Sequence, residues 1–224
     1  MSEQLFDSWP EKYRRWFETP LGRLIKNYEL RWVLEYLQPR QGESILDAGC
    51  GSGIFTQPLL DAGARVTGLD LSTPMLKWAR GHLPGDDFSC LVSDMRALPF
   101  NDGQFDKTVS ITALEFIEDA QSAIDELFRV TRPGGFVVVA TLNRISPWAQ
   151  RRSAEAREDP DSVFRQVHFR SPRELRGLSD RAANVKTAIH FPKTANPLEA
   201  AKLESEGELS DLDTGAFVIV RWKV

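Results

Sequence analysis

Residues 45–53 read Ile-Leu-Asp-Ala-Gly-Cys-Gly-Ser-Gly, an apolar run that passes directly into three glycines at alternate positions. Gly49, Gly51 and Gly53 would let the chain turn tightly after a strand and let a ligand approach main-chain N–H groups free of Cβ atoms. A helix starting behind such a loop turns its positive end toward that ligand. Asp47 precedes the first glycine by two residues, and a second acid, Asp70, ends the segment Val66–Asp70, 23 residues further on. An acid placed there can accept both hydroxyls of a ribose. The competing reading of Asp70 is a helix N-cap, a role that Ser72 would fill equally well. A dinucleotide fingerprint GxGxxG would need glycine at position 54, which is Ile54. The pattern therefore points to an adenosine-type ligand rather than a pyrophosphate one.

Positioning these residues requires strands that end at a common edge. Short apolar segments at Ser44–Ala48, Arg65–Asp70, Phe88–Val92, Phe105–Ile111 and Phe136–Leu142 alternate with helical patterns at about 53–62, 74–82 and 116–130. That alternation predicts an α/β fold with a mostly parallel, doubly wound sheet. Pro58 sits within the first of these helices and predicts a late start or a bend. Two helices precede the sheet: a short aromatic one at Glu11–Phe17, and a second in which Leu21, Leu24, Ile25, Tyr28, Trp32 and Tyr36 recur at three- and four-residue spacing until Pro39. After the fifth strand the chain enters an arginine-rich excursion, then a helix near Pro172–Arg181, then strands at Val185–Phe191 and Ala216–Lys223 on either side of a polar stretch. The organisation expected is a single domain, with a helical lid at 1–40, a cofactor-binding core at 44–143, a substrate cap and helix at 144–182 and C-terminal strands at 183–224.

The ordered segments DAGCGSG, GLDLS, SDMRALPF, FDKTVSITALEF and RVTRPGGFVVVAT resemble the class I S-adenosylmethionine-dependent methyltransferases. Within them the chain is most similar to the type 11, ubiquinone- and menaquinone-biosynthesis-like group. The resemblance covers residues 44–143 well and the flanks more loosely. It implies a Rossmann-like, seven-stranded sheet with an antiparallel last strand and an N-terminal helical lid. It implies S-adenosylmethionine as cofactor and S-adenosylhomocysteine as product. By matched position, Asp47, Gly49, Gly51 and Gly53 would line the methionine moiety, and Asp70 the ribose, with Leu71 packing on the adenine. Asp94 would read the adenine amino group beside Met95, and Thr112 would contact the methionyl part from the other side. Asp94 as a solvated loop acid is the competing reading.

Transfer from a sulfonium neutralises charge, so the protein acts chiefly by orienting the reactants and excluding water. A base is needed only for an acceptor that holds its proton. His168, in the arginine-rich excursion, is the candidate base by its acidity; a surface or packing histidine is the alternative. Among the N-terminal aromatics Tyr13 is the candidate cofactor-contacting hydroxyl, and the others would otherwise serve to glue the lid to the domain.

The remaining composition excludes other classes. With 28 basic and 32 acidic residues the net charge is −4, which argues weakly against a dedicated duplex binder. No nucleic-acid-binding module is recognisable, so the expected partner is a small-molecule methyl acceptor. The seven arginines between 149 and 176 face five acids and read as a mixed solvated surface. Two cysteines and three histidines in no ligand spacing make a metal site improbable. No basic-then-apolar leader is read at Met1–Gln4 and no run is long enough to span a bilayer, so a cytoplasmic location is expected. Lys193–Asp213 carries two lysines and six acids and reads as a solvated acidic connector. The rival assignments are an NAD-dependent oxidoreductase and a catalytically silent cofactor-binding regulatory domain.

Overall fold

The computed structural model describes residues 4–83 and 85–224. Seven strands, β1 (Ser44–Ala48), β2 (Arg65–Asp70), β3 (Phe88–Val92), β4 (Phe105–Ile111), β5 (Thr131–Leu142), β6 (Ala183–Ala188) and β7 (Phe217–Lys223), form one sheet in the order β3-β2-β1-β4-β5-β7-β6. The pairs from β3 to β5 are parallel, and β7 lies antiparallel between β5 and β6. The chain winds outward from β1 to β3 and then returns to β4 on the other side of β1. A crevice therefore opens at the carboxyl ends of β1 and β4, where loops diverge to opposite faces.

Strand alternation divides the interior into two cores. Ile45, Val138, Ala140, Phe217 and Ile219 face one side, against α1 (Pro10–Glu18), α2 (Pro20–Leu37) and α3 (Thr56–Asp61). Leu46, Val137, Val139, Val218 and Val220 face the other, against α5 (Ala120–Val130) and Leu175 of α7 (Pro172–Arg176). A smaller cluster of Cys50, Leu76 and Cys90 lies under α4 (Thr73–His82). Such strands, covered on both faces, read as continuous apolar runs, which is why β1, β4 and β5 were legible.

Several boundaries differ from expectation. α3 begins only at Thr56, which puts Pro58 in the first turn, where its missing N–H costs no helical bond. The helix expected from 116 begins at Ala120, because Asp119 accepts the Ser122 N–H at 3.1 Å and caps it there; a 3-10 turn at Leu114–Phe116 precedes it. β5 starts at Thr131 rather than Phe136, with a register shift opposite Phe105 and Lys107. α7 ends at Arg176, earlier than the expected 181.

The acidic stretch is not a solvated connector: it holds α8 (Pro197–Leu209), capped by Asn196, whose Oδ1 accepts from Leu198 and Glu199 N–H. Glu204 is buried and its carboxylate accepts the N–H groups of Ile189 (2.9 Å) and His190 (2.7 Å). That contact turns the chain where Ile189 takes φ +65°, a strained conformation for a β-branched residue. The excursion after β5 contains α6 (Pro147–Glu158) and a 3-10 turn at Val163–Gln166. Among the described residues no helix is long and apolar enough to cross a membrane.

Candidate cofactor and acceptor site

A cavity of about 950 Å³ opens at the switch between β1 and β4. β1 delivers Asp47 to its floor with 1% of its surface exposed. The Asp47 carboxylate accepts the Thr56 hydroxyl at 2.7 Å, and burial pushes its pKa up to about 6 despite that bond. Behind Asp47 the loop turns at Gly49 and Gly51, with φ of +80° and +54°. A Cβ on Gly49 would lie 2.3 Å from the Ala113 Cβ, so only glycine lets the two loops meet. A Cβ on Gly51 would meet nothing within 4 Å, so the backbone there borders open space in the cavity wall.

β2 delivers Asp70, whose Oδ2 accepts the Gly51 N–H at 2.9 Å and whose Oδ1 accepts the Ser72 N–H at 2.8 Å. Desolvation raises its pKa while those backbone donors oppose the shift. The cap of α4 is Ser72, whose hydroxyl accepts the Met75 N–H, so Asp70 is not spent on capping. Leu71 beside it is 46% exposed and lines the cavity, an apolar wall without a protein partner. Asp94 and Met95 complete that wall after β3. Met95 is buried, whereas Asp94 is gripped by the Arg96 guanidinium (2.6 and 3.0 Å), which holds its pKa below the usual carboxylate range. At the end of β4, Thr112 has φ +48° and donates its N–H to the Ala140 carbonyl. Its hydroxyl lies 3.5 Å from that of Tyr13, which burial raises in pKa.

The N-terminal segment lies across the mouth. Asp7 accepts the Ser72 hydroxyl at 2.7 Å on one side, and the Phe6 ring meets Phe116 edge-on at 4.7 Å on the other. Trp9, Tyr13 and Trp16 line the cavity beneath it.

Two expected site residues lie elsewhere. Gly53 does not line the cavity; a Cβ there would press on Leu83 of the segment after α4, so it serves helix packing. His168 is exposed and does not line the cavity. Its N–H donates to the Glu115 carbonyl at 2.6 Å, so it is the backbone, not the imidazole, that ties the cap to the end of β4. Cys50 is a packing residue: its Sγ would lie 2.7 Å from a Cβ on Gly68, and burial raises its thiol well above the ordinary value.

The structure also brings in three residues that sequence reasoning missed. Glu29 on α2 is 5% exposed and Glu115, in the turn after β4, is fully buried, yet both line the cavity. Burial pushes Glu29 up to about 8 and Glu115 up to about 7. Glu115 Oε2 accepts the Thr141 hydroxyl at 3.0 Å, while Glu115 Oε1 and Glu29 Oε2 have no hydrogen-bond partner. Arg152 on α6 also lines the cavity, its guanidinium 5.3 Å from the Trp148 ring and 5.1 Å from that of Phe164. It draws both glutamates toward ionisation, and its own pKa is lowered by desolvation. A signal existed for two of them: Glu29 stands four residues after Ile25 within the apolar stripe, and Arg152 four after Trp148.

The chain matches the family described as a methyltransferase domain over residues 46–139. It is 33% identical to a ubiquinone biosynthesis O-methyltransferase of Thiobacillus denitrificans over 196 residues, 84% of each chain. The chain belongs to the class I S-adenosylmethionine-dependent methyltransferases. A malonyl-[acyl-carrier protein] O-methyltransferase of Erwinia billingiae is 44% identical over 111 residues, 50% of this chain but only 43% of that relative's length. The chain thus spans less than half the length of some curated relatives it matches. A solved Thermotoga maritima S-adenosylmethionine-dependent methyltransferase, described as a possible histamine N-methyltransferase, superposes with a TM-score of 0.77 at 23% identity, covering 98% of both chains. The site fits the cofactor of this methyltransferase family on its own geometry. The open backbone at Gly51, the carboxylate of Asp70 beside it and the bare apolar face of Leu71 form one continuous wall.

Proposed function

We propose that the protein transfers a methyl group from S-adenosylmethionine to a small-molecule acceptor held in this cavity. The observation that carries the reading is the Gly51–Asp70 junction, where a glycine with open space beside it donates to an acid at the end of the neighbouring strand. On this reading Asp70 receives the ribose hydroxyls, and Leu71 and Met95 flank the adenine. Asp94 accepts the adenine amino group at the edge of its Arg96 pair. Asp47, Gly49, Gly51 and Thr112 surround the methionyl part, and the Tyr13 hydroxyl closes over it. The cofactor, when bound, supplies a methyl on a positively charged sulfur, ready for in-line displacement.

This chain's own residues orient and desolvate. The buried Asp47 carboxylate, whose ionised form is penalised by desolvation, gains from an ammonium beside it. The rings of Trp9, Tyr13 and Trp16 cover the mouth and exclude water. Glu29, Glu115 and Arg152 bound the far end, where the acceptor enters. His168 keeps no part in this scheme, since its side chain stands outside the cavity. The O-methyltransferase relatives support methyl transfer to an oxygen, and two free cysteines, Cys50 and Cys90, suit a reducing cytoplasm. The NAD-dependent reading is disfavoured because Ile54 lines the cavity where the dinucleotide fingerprint has glycine.

Calorimetric titration with S-adenosylhomocysteine and, separately, with NAD tests this. Binding of the homocysteine compound alone is expected. Binding of NAD alone would overturn the reading. A silent regulatory domain would bind the compound yet transfer no label from methyl-labelled S-adenosylmethionine to any metabolite of a cell extract.

A further inference from the structure

Arg152 brings into the cavity wall a charge that no described residue pairs. Its guanidinium lies between two rings, 5.3 Å from that of Trp148 and 5.1 Å from that of Phe164. Rings cover the faces of a guanidinium and leave its five N–H donors at the edge. Among the described residues none of those donors makes a hydrogen bond, and no carboxylate oxygen comes within 4.0 Å. The nitrogens keep accessible surface, unlike the sealed, unpartnered carboxylate oxygens of Glu29 and Glu115. Desolvation lowers the Arg152 pKa, as it does for a cation short of partners.

The surroundings do not make good the imbalance. Burial pushes Glu29 up to about 8 and Glu115 up to about 7. Near neutral pH the first is therefore largely protonated and the second partly so, and they offer Arg152 little countercharge. The neighbouring cation, Arg151, is taken by Glu155 at 2.6 Å. Lys193 stands over the Trp16 ring at 6.0 Å, lines the same cavity and has no carboxylate within 4.0 Å among the described residues. With Arg151 and Glu155 offsetting each other, the accessible charge at this end is that of two cations among aromatic walls. Desolvated charges in folded proteins are normally paired, so a guanidinium left open to an enclosed cavity marks the seat of an anion.

Resting on the methyl-transfer reading, we propose that the acceptor carries a carboxylate that Arg152 binds as an anchor, with Lys193 as the outer cation, and that the methylated atom lies elsewhere in the acceptor. A planar carboxylate meets the edge of a guanidinium with two parallel hydrogen bonds, and the rings beside it suit an apolar or aromatic body. A dianion such as a phosphonate would crowd extra charge beside Glu155. An ammonium group would add a third cation. A carboxylate engaged by a guanidinium has its lone pairs occupied and its charge offset, which makes it a weak nucleophile. The anchor therefore orients the acceptor and leaves another atom to take the methyl. Cofactor and acceptor are then selected by different elements, the loops after β1 and β2 for one and α6 for the other.

The test uses the full chain saturated with S-adenosylhomocysteine and four probes with one phenyl body. These are 3-phenylpropionate, 3-phenylpropionamide, 3-phenylpropylamine and 2-phenylethylphosphonate, titrated by calorimetry. The carboxylate should bind about tenfold or more tightly than each of the others. Arg152→Gln should bring the carboxylate down to the affinity of the amide, and Arg152→Lys, which keeps the charge and loses the fork, should retain part of the difference. Lys193→Gln, at the exposed edge, should cost about two- to threefold. Thermal melting and S-adenosylhomocysteine affinity control for folding, and the ranking of probes on the unaltered protein stands without any variant. The proposal is overturned if the carboxylate does not bind, if another probe binds as tightly, or if Arg152→Gln keeps full carboxylate affinity. It is overturned equally if the carboxylate competes with S-adenosylhomocysteine, or if 3-phenylpropionate is recovered as its methyl ester after incubation with S-adenosylmethionine. All of these outcomes leave the cofactor reading intact. Failure of the unaltered protein to bind S-adenosylhomocysteine would instead overturn the methyl-transfer reading itself.

Discussion

The two ends of the cavity are built on opposite principles. At the cofactor end the polar groups are already satisfied by the protein: Asp47 by Thr56, Asp70 by Gly51 and Ser72, Asp94 by Arg96. At the acceptor end Glu29 and Glu115 stay partly unpaired. The first end is pre-organised, with geometry fixed before any ligand arrives, so binding there orders little. The second keeps buried acids whose ionised forms are penalised by desolvation, so stability is given up there.

Substitutions should separate the two ends, and the largest effect belongs to the rigid one. Gly49→Val places a branched side chain at φ +80° and against Ala113, so S-adenosylhomocysteine binding by calorimetry should fall by more than about 100-fold. Retained affinity would mean the loop is not rigid. Asp70→Ala should weaken the same binding by about 1–3 kcal/mol, because the Gly51 N–H and the ribose lose their acceptor.

At the acceptor end stability should move the other way. Glu29 holds its proton up to about pH 8 when folded but loses it near 4.5 when unfolded. Between those values the native state binds more protons than the unfolded one, so stability falls as pH rises through that window. Glu29→Gln removes the group, and denaturant unfolding at pH 8 should show the variant more stable by about 1–3 kcal/mol, with a flatter pH profile. A destabilised variant at pH 8 would show that the carboxylate is structural. The smallest effect is expected of Tyr13→Phe, which removes one long hydrogen bond to Thr112 at the boundary of the two ends; cofactor affinity should drop by about two- to fivefold.

The same contrast explains what the sequence disclosed. The cofactor end is made of contiguous motifs at the ends of β1 and β2, where spacing alone brings Asp47, Gly49, Gly51 and Asp70 together. The parallel strands were legible for a related reason, since burial on both faces leaves apolar runs. The acceptor end is assembled from positions 29, 115 and 152, which only the tertiary fold juxtaposes. His168 drew attention by its chemistry, yet its ring is exposed, and the arginines around it divide between uses that spacing cannot separate. Arg151 pairs with Glu155, Arg152 borders the cavity, and Arg170 donates to the Leu114 and Ile117 carbonyls. α8 was hidden because its inward face carries Ala200, Glu204 and Gly207 rather than an apolar stripe, and is held by the Glu204 carboxylate on backbone N–H groups.

The central claim is that a cofactor seated in the rigid end directs its reactive sulfur at the unpaired acids of the other. A crystal structure with S-adenosylhomocysteine tests this most directly. The account predicts the ribose hydroxyls on the Asp70 carboxylate and the sulfur facing the chamber bounded by Glu29, Glu115 and Arg152. A ribose bound away from Asp70, or a sulfur turned away from that chamber, would contradict it.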